Sequence, residues 1–184
     1  MRIITFGHGT AGEVELAALI RGAGIQTVAD VRSVPKSRAH PHVWAERMAQ
    51  WVPDLAGATY EWHRELGGFR KTRPDSPNVT LRHPAFRGYA DYTQTAAFGV
   101  ALGALLDDAS KNLTAIMCSE TLWWRCHRRL IADALVLLHG VDVQHLTLRQ
   151  AQHAVPTGAL TPHSPTPGAR VLPSGVLQYD ALEE

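Results

Sequence analysis

The chain has little cysteine and no long apolar run, and each shortage excludes a class of protein. Two cysteines in 184 residues are too few for a disulfide framework. No apolar run approaches the roughly 18 residues that suggest a membrane span, and the N-terminus lacks the apolar core of a signal peptide. We therefore expect a cytoplasmic protein with reduced thiols and no membrane partner.

Net charge is also nearly absent. The chain has 18 Lys and Arg against 17 Asp and Glu, so composition alone gives no argument for a nucleic-acid partner. Fifteen of the basic residues are arginine, which forms bidentate contacts with carboxylates and phosphates that lysine does not form. The length and the 45% hydrophobic content predict one well-buried core.

Runs rich in β-branched and apolar residues predict strands, and these runs alternate with segments of helical period. The predicted strands are residues 2–6, 25–31, 58–62, 113–117 and 141–146. The predicted helical segments are residues 10–22, 42–52, 85–108 and 126–140. The alternation predicts an α/β protein with a single-domain, mainly parallel open sheet of about five strands and helices on both faces, a Rossmann-like fold.

The C-terminal part of the chain differs in composition. We assign residues 1–150 to the α/β domain and residues 151–184 to a Pro-rich extension packed on the same domain. Within it, residues 170–180 have the pattern of a small hairpin. Segment 64–84 has neither a helical nor a strand period and is rich in Gly, Pro and Arg, as binding loops often are.

Ligands of open parallel sheets bind beyond the carboxyl ends of the strands, so residues at those ends are candidate site residues. At the ends of the first, second and fourth predicted strands, and shortly after them, lie Gly7, His8, Gly9, Asp30, Arg32, Cys118, Glu120, Cys126, His127 and Arg128. We expect them to share one rim. For Asp30 and Arg32 the alternative is an ion pair that fixes the loop.

Positions 125 and 127–129 place four basic side chains near the predicted start of the last helix, where the free amides already carry partial positive charge. This cluster favours an anionic ligand, phosphorylated or nucleotide-like, unless the arginines pair with nearby acids. Cations and helix amides also lower the pKa of a cysteine thiol from about 8.5. We therefore predict an anion site in which Arg32 and Arg128 bind the ligand, Cys118 is the nucleophile and Glu120 or His127 moves protons. Cys126 is a further candidate catalytic residue, and we leave open whether the protein is an enzyme.

A first alternative is a nucleic-acid-binding or modifying accessory domain. Residues 30–90 hold ten Lys or Arg against six Asp or Glu. Aromatic residues that could stack on bases are interleaved with these charges. They are Trp44, Trp51, Tyr60, Trp62, Phe69, Phe86 and Tyr89.

A second alternative is a structural metal held by Cys118 and Cys126. A zinc site could also include His127 and His8, but the seven residues between the cysteines exceed the usual two to four. Adjacent side chains on a helix also diverge by about 100°, which argues against Cys126 and His127 as joint ligands. We expect no metal and no cofactor. A cysteine phosphatase loop is not matched either, because six residues rather than five separate Cys118 from Arg125.

Several stretches together resemble one known family. They are GHGT (7–10), DVRSVPKSR (30–38), LGGFRKTRPDSPN (66–78), FRGYADYTQT (86–95), MCSET (117–121) and WRCHRRLIADAL (124–135). In order and spacing, from about residue 3 to residue 146, they resemble the domain of unknown function 488 family. The resemblance implies a small single-domain α/β protein and adds Gly67, Gly68 and Tyr89 to the candidate ligand-binding residues. It implies no reaction, and this chain has Gly9 where the family usually has serine.

Overall fold

The computed structural model describes residues 1–149 and 157–180. Its strands are β1 Arg2–Gly7, β2 Thr27–Asp30, β3 Thr59–Trp62, β4 Thr114–Cys118, β5 Asp142–Arg149, β6 Thr157–Pro162, β7 Ala169–Val171 and β8 Leu177–Tyr179. Its α-helices are α1 Glu13–Gly22, α2 Ala45–Trp51, α3 Pro84–Thr93, α4 Ala96–Lys111 and α5 Arg128–His139. Short 3₁₀ turns occupy Pro41–Val43, Arg64–Leu66 and Trp123–Arg125, and a π-helical turn, Val52–Ala56, follows α2.

Six strands form one sheet in the order β3-β2-β4-β1-β5-β6. The pairings from β3 to β5 are parallel, whereas β6 runs antiparallel to β5. The prediction of a mainly parallel α/β sheet is confirmed. The edge strand β6 was not predicted, because Gly158 and Pro162 interrupt any β-rich pattern in that segment.

Both faces of the sheet are covered by helices, as predicted. Successive residues of β1 show this, since side chains alternate between the faces of a strand. Ile3 belongs to the core formed with α3, α4 and α5, and Ile4 belongs to the core formed with α1 and α2. No described helix is long and apolar enough to cross a membrane.

The helix predicted over 85–108 is in fact two helices, α3 and α4. The chain breaks at Gln94 and Thr95, and the Thr95 hydroxyl accepts a hydrogen bond from the Phe98 amide at 3.2 Å. This side-chain cap stabilises a new helix start. Helix α1 begins at Glu13, three residues later than predicted, with Gly12 as its N-cap.

A chain of buried hydrogen bonds joins the C-terminal segment to the sheet. Thr5 Oγ1 lies 2.7 Å from His145 Nδ1, His145 Nε2 lies 2.9 Å from His163 Nδ1, and His163 Nε2 lies 2.8 Å from Asp133 Oδ1. Because a carboxylate only accepts, His163 donates to Asp133 through Nε2. The Tyr179 hydroxyl donates to the other oxygen of Asp133 at 3.0 Å. We call Thr5, His145, His163 and Asp133 the histidine relay.

Strands β7 and β8 pair antiparallel, with Ala169 opposite Tyr179, which confirms the predicted C-terminal hairpin. The predicted domain boundary at residue 150 and residues 181–184 of the predicted extension lie outside the described residues.

Candidate functional site

The carboxyl ends of β1 and β4 lie side by side, with Gly7 in register with Cys118. Amide-to-carbonyl hydrogen bonds from His8 to Cys118 and from Gly9 to Ser119, both 2.9 Å, continue this pairing past the strand ends. Strands β4 and β1 are neighbours in the sheet. From β1 the chain goes on to β2, on one side of this pair, and from β4 it goes on to β5, on the other side. Such a topological switch point opens the crevice in which ligands of α/β sheets bind.

A pocket of about 800 Å³ opens at this crevice. The predicted site residues that border it are Gly9, Arg32, Gly68, Cys118, Glu120, Cys126 and His127. The other lining residues are Ser33, Val34, Phe69, His83, Ala85, Phe86, Ser119, Thr121, Trp124 and Arg125. The glycine turn after β1, the loop after β2 and the cysteine-rich corner after β4 therefore share one hollow.

Two sulfurs and one imidazole nitrogen form the floor of the pocket. Nδ1 of His127 lies 3.9 Å from Cys118 Sγ and 3.7 Å from Cys126 Sγ. The other ring nitrogen, Nε2, lies 3.2 Å from the carbonyl oxygen of Val31. Because a carbonyl only accepts, Nε2 carries a proton, and Nδ1 is the ring nitrogen that faces the two sulfurs.

The two thiols have opposite electrostatic surroundings. The hydrogen bond with Cys126, then that with His127 and the charges of His127 and Arg128, hold the pKa of Cys118 well below its usual value against the effect of burial. The hydrogen bond with Cys118, followed by burial, raises the pKa of Cys126. Cys118 is therefore the sulfur that loses its proton first.

The argument that Cys126 and His127 diverge on a helix is wrong. Helix α5 begins only at Arg128, and Cys126 precedes it in an extended conformation with φ −121° and ψ 148°. Off the helix, neighbouring side chains need not point 100° apart. Among the described residues, Cys118, Cys126 and His127 form a group whose donor atoms lie within 4.8 Å of one another, and His8 is not part of it.

Predicted ligand-binding residues pack behind His127. A Cβ on Gly68 would lie 2.7 Å from His127 Nδ1, and one on Gly67 would lie 2.8 Å from the Cα of Ser33. The centroid of the buried Tyr89 ring is 5.0 Å from that of His127, and the Tyr89 hydroxyl donates to the Leu66 carbonyl at 2.8 Å. Gly67 and Tyr89 do not border the pocket, so their contacts position its floor.

The glycine turn after β1 also serves close packing. A Cβ on Gly7 would overlap with the carbonyl oxygen of Glu120, and Gly9, with φ +51°, faces the side chain of Thr121. His8 is buried and borders a separate cavity. Burial, followed by the charge of Arg32, lowers the pKa of His8 to about 4.

Asp30 and Arg32 form a buried ion pair. Asp30 accepts from Arg32 Nε at 2.9 Å and from Nη2 at 2.6 Å, and it also accepts from the Tyr60 hydroxyl at 2.6 Å. Nη2 of Arg32 also donates to the Val43 carbonyl at 2.7 Å, while Nη1 lies 3.3 Å from His8 Nε2. Arg32 borders the pocket and Asp30 does not, and most of the guanidinium is engaged inside the protein.

The arginines around the start of α5 have different surroundings. Arg128 is buried and donates to the carbonyls of Glu120 and Thr121. Arg129 donates to the Trp124 carbonyl at 3.1 Å, and its burial lowers its pKa. Arg125 borders the pocket and is exposed, and its guanidinium makes no hydrogen bond or ion pair with the described residues. Arg125 was not in the predicted ligand-binding set, although its position in the basic run beside Cys126 indicated it.

Aromatic side chains at the edge of the pocket were not in the predicted ligand-binding set, although Phe69 was among the aromatics expected to stack on bases. Phe69 is 85% exposed and Trp124 is 50% exposed, and both border the pocket. Trp123 instead stacks on the relay ring of His145, with centroids 4.0 Å apart and an angle of 7°. Exposed aromatic side chains beside a pocket are typical of binding surfaces.

Comparisons with curated proteins and with solved structures found no match. A comparison with protein families matches residues 14–135 to the domain of unknown function DUF488. The match covers more than half of the chain and includes Cys118, Cys126 and His127. The chain thus belongs to the DUF488 family, whose function is unknown.

Proposed function

We propose that the protein binds a small anionic ligand in the pocket and acts on it through the sulfur of Cys118. One arrangement carries this proposal. The Cys118 thiol borders the pocket, an imidazole nitrogen of His127 faces its sulfur at 3.9 Å, and the exposed Arg125 borders the same space. A nucleophile, a base and an anion-binding group are thereby combined.

The chemistry follows from the hydrogen bonds of His127. Its Nε2–H is held by the Val31 carbonyl, so Nδ1 is free to take the proton of Cys118. Attack of the sulfur forms a bond to the electrophilic atom of the ligand, the leaving group departs with its electron pair, and the imidazolium returns the proton to it. Glu120 also borders the pocket, where its carboxylate accepts from the Leu122 amide at 3.0 Å. It is a second candidate for proton transfer.

The ligand class follows from the lining of the pocket. Arg125 supplies a positive charge, while Phe69 and Trp124 supply apolar faces on which a planar group can stack. A volume of about 800 Å³ fits a nucleotide-sized or phosphorylated molecule. Arg32 and Arg128, which were predicted to bind the anion, direct most of their guanidinium hydrogen bonds to groups of the protein, namely Asp30 and the carbonyls of Val43, Glu120 and Thr121.

The test compares two alkylating agents, the anionic iodoacetate and the neutral iodoacetamide, on reduced protein with a chelator present. Both react with the same thiolate, so the ratio of their rates reports the local potential and not the thiolate fraction. A unit charge near the surface changes that potential by about 1 kcal/mol, or roughly fivefold in rate. We expect Arg125→Gln to lower the ratio of the iodoacetate rate to the iodoacetamide rate several-fold, whereas Arg47→Gln on α2 leaves this ratio unchanged.

Peptide mapping after partial alkylation identifies the modified cysteine. We expect the label on Cys118, and Cys118→Ser should abolish fast labelling. Equal ratios in the wild type and Arg125→Gln would contradict the anion-binding part of the proposal. Preferential labelling of Cys126 would contradict the assignment of the nucleophile.

The nucleic-acid alternative gains no comparable support. Trp51 and Tyr89 are buried in the core, and the Tyr60 hydroxyl binds Asp30. Of the remaining aromatics, Phe69 and Phe86 border the same pocket, whereas Trp62 borders a different one.

A further inference from the structure

The three donor atoms on the pocket floor have nearly the spacing of a metal site. Tetrahedral zinc, with Zn–S of about 2.3 Å and Zn–N of about 2.05 Å, places sulfur and nitrogen ligands about 3.6 Å apart and two sulfurs about 3.8 Å apart. The observed sulfur–nitrogen distances are 3.7 and 3.9 Å, and all three atoms lie within 4.8 Å of one another. To close the site around an ion, the sulfur–nitrogen distances would shorten by about 0.1–0.3 Å and the two sulfurs would approach by at most about 1 Å.

The imidazole is already oriented as a metal ligand. Metal-bound histidines commonly donate their other ring N–H to a carbonyl or carboxylate, which fixes the ring and its tautomer. Here Nε2 of His127 faces the Val31 carbonyl at 3.2 Å, which leaves Nδ1 directed at both sulfurs. Gly68 and Tyr89 pack against the same ring, so little side-chain freedom is lost on binding.

The donor set selects the kind of ion. Two thiolates and an imidazole suit zinc and similar borderline-soft ions, whereas magnesium and calcium require oxygen ligands. The two thiolate charges balance those of a divalent ion. Among the described residues the group contains only these three donors, and all three border the pocket. A fourth coordination position would therefore face the pocket, as in catalytic zinc sites.

From this geometry we infer that Cys118, Cys126 and His127 bind Zn²⁺, with the fourth position open to the pocket. The inference goes beyond the proposed function. The proposed reaction of Cys118 belongs to the metal-free protein; with the ion bound, Cys118 is a ligand and not a free nucleophile, and an anion or water takes the open position.

The test is a titration of the reduced, metal-free full chain with Co²⁺, followed by displacement with Zn²⁺. We expect one Co²⁺ per chain, a sulfur-to-cobalt charge-transfer band in the near ultraviolet, and loss of the band on adding one equivalent of Zn²⁺. Cys126→Ser and His127→Gln should each weaken Zn²⁺ binding about 100-fold or more. The matched control is His83→Gln, which changes a histidine that lines the same pocket and should bind Zn²⁺ as the wild type does.

Gly68→Ala gives a second measurement that keeps all three donors. Its Cβ would displace the His127 ring, so we expect weaker Zn²⁺ binding with both sulfurs still present. Absence of the charge-transfer band in the wild type would overturn the inference. Equal Zn²⁺ affinity in the wild type and in all the donor variants would also overturn it, because the ion would then bind elsewhere.

The two proposals fail separately. Alkylation in chelator tests Cys118 and Arg125 with no metal present, while the cobalt band tests the donors with no ligand present. If the charge-transfer band is missing but the alkylation ratio still depends on Arg125, only the metal-site inference is contradicted. If the band is present but the alkylation ratio does not depend on Arg125, only the proposed anion binding is contradicted.

Discussion

Acidification should destabilise the protein through the histidine relay. The ring of His145 is only 1% exposed, and it lies between Thr5 and His163 with Trp123 stacked on its face. Burial, followed by the charges of His163 and Arg128, lowers the pKa of His145 from 6.5 to about 3. The folded protein therefore keeps this ring neutral at pH values at which the unfolded chain protonates it.

The direction and the size of this loss of stability follow from proton linkage. Below pH 6.5 the unfolded state binds a proton that the native state does not bind, so the free energy of unfolding falls as the pH drops toward 3. At about 1.4 kcal/mol per pKa unit, the full effect at pH 4 is about 3 kcal/mol. Relaxation of the protein around a charged ring reduces this effect, and we expect the free energy of unfolding to fall by about 2 kcal/mol between pH 7 and pH 4.

Urea unfolding at several pH values between 7 and 4 measures this effect. The comparison is with His145→Asn, which cannot titrate in this range and should show a flatter dependence of stability on pH. The histidines outside the relay, such as His8, are present in both proteins and do not contact His145, so their contribution cancels in the difference. Parallel curves for the two proteins would refute the reasoning. A His145 ring resonance that titrates near pH 6.5 in the folded protein would refute it independently.

Two further predictions concern residues behind the pocket. In thermal unfolding, Gly7→Ala should lower the free energy of unfolding by about 3 kcal/mol or more, because its Cβ overlaps with the backbone of Glu120. The control Gly22→Ala, with nothing within 4 Å of the added Cβ, should be neutral or slightly stabilising. Equal losses in the two variants would contradict the packing argument. Asp30→Asn should lower the free energy of unfolding in urea by about 3–5 kcal/mol, because it leaves the buried Arg32 guanidinium without its countercharge. The control Asp142→Asn, in an exposed ion pair, should cost less than about 1 kcal/mol. A similarly small loss for Asp30→Asn would contradict the buried ion pair.

The meeting of distant residues at one edge could be predicted from the sequence because it depends only on strand order and direction. Once the segments ending near Gly7, Asp30 and Cys118 are strands of one parallel sheet, their carboxyl ends lie along the same edge. Strand β6 escaped prediction because its pairing with β5 depends on backbone hydrogen bonds and not on an apolar pattern.

Which arginine is free for a ligand could not be predicted in this way. Arg32, Arg125 and Arg128 have the same chemistry and all follow strands that end near the pocket. Their roles depend on which oxygens the folded chain brings near them: Arg32 meets a carboxylate, Arg128 meets two backbone carbonyls, and Arg125 meets none of the described ones. Backbone carbonyls are present at every position, so no sequence pattern marks them as partners.

The geometry that supports the proposed metal site depends on a helix boundary, the feature that sequence patterns locate least well. The predicted helix began at Cys126, which would turn Cys126 and His127 to different sides. The actual helix begins at Arg128, and no side chain caps its N-terminus, so the sequence holds no signal for the later start. The two residues before the helix are freed from helical spacing, and both side chains reach Cys118. A shift of two residues in the start of α5 thus changes an adjacent Cys–His pair from an argument against a metal into the main support for one.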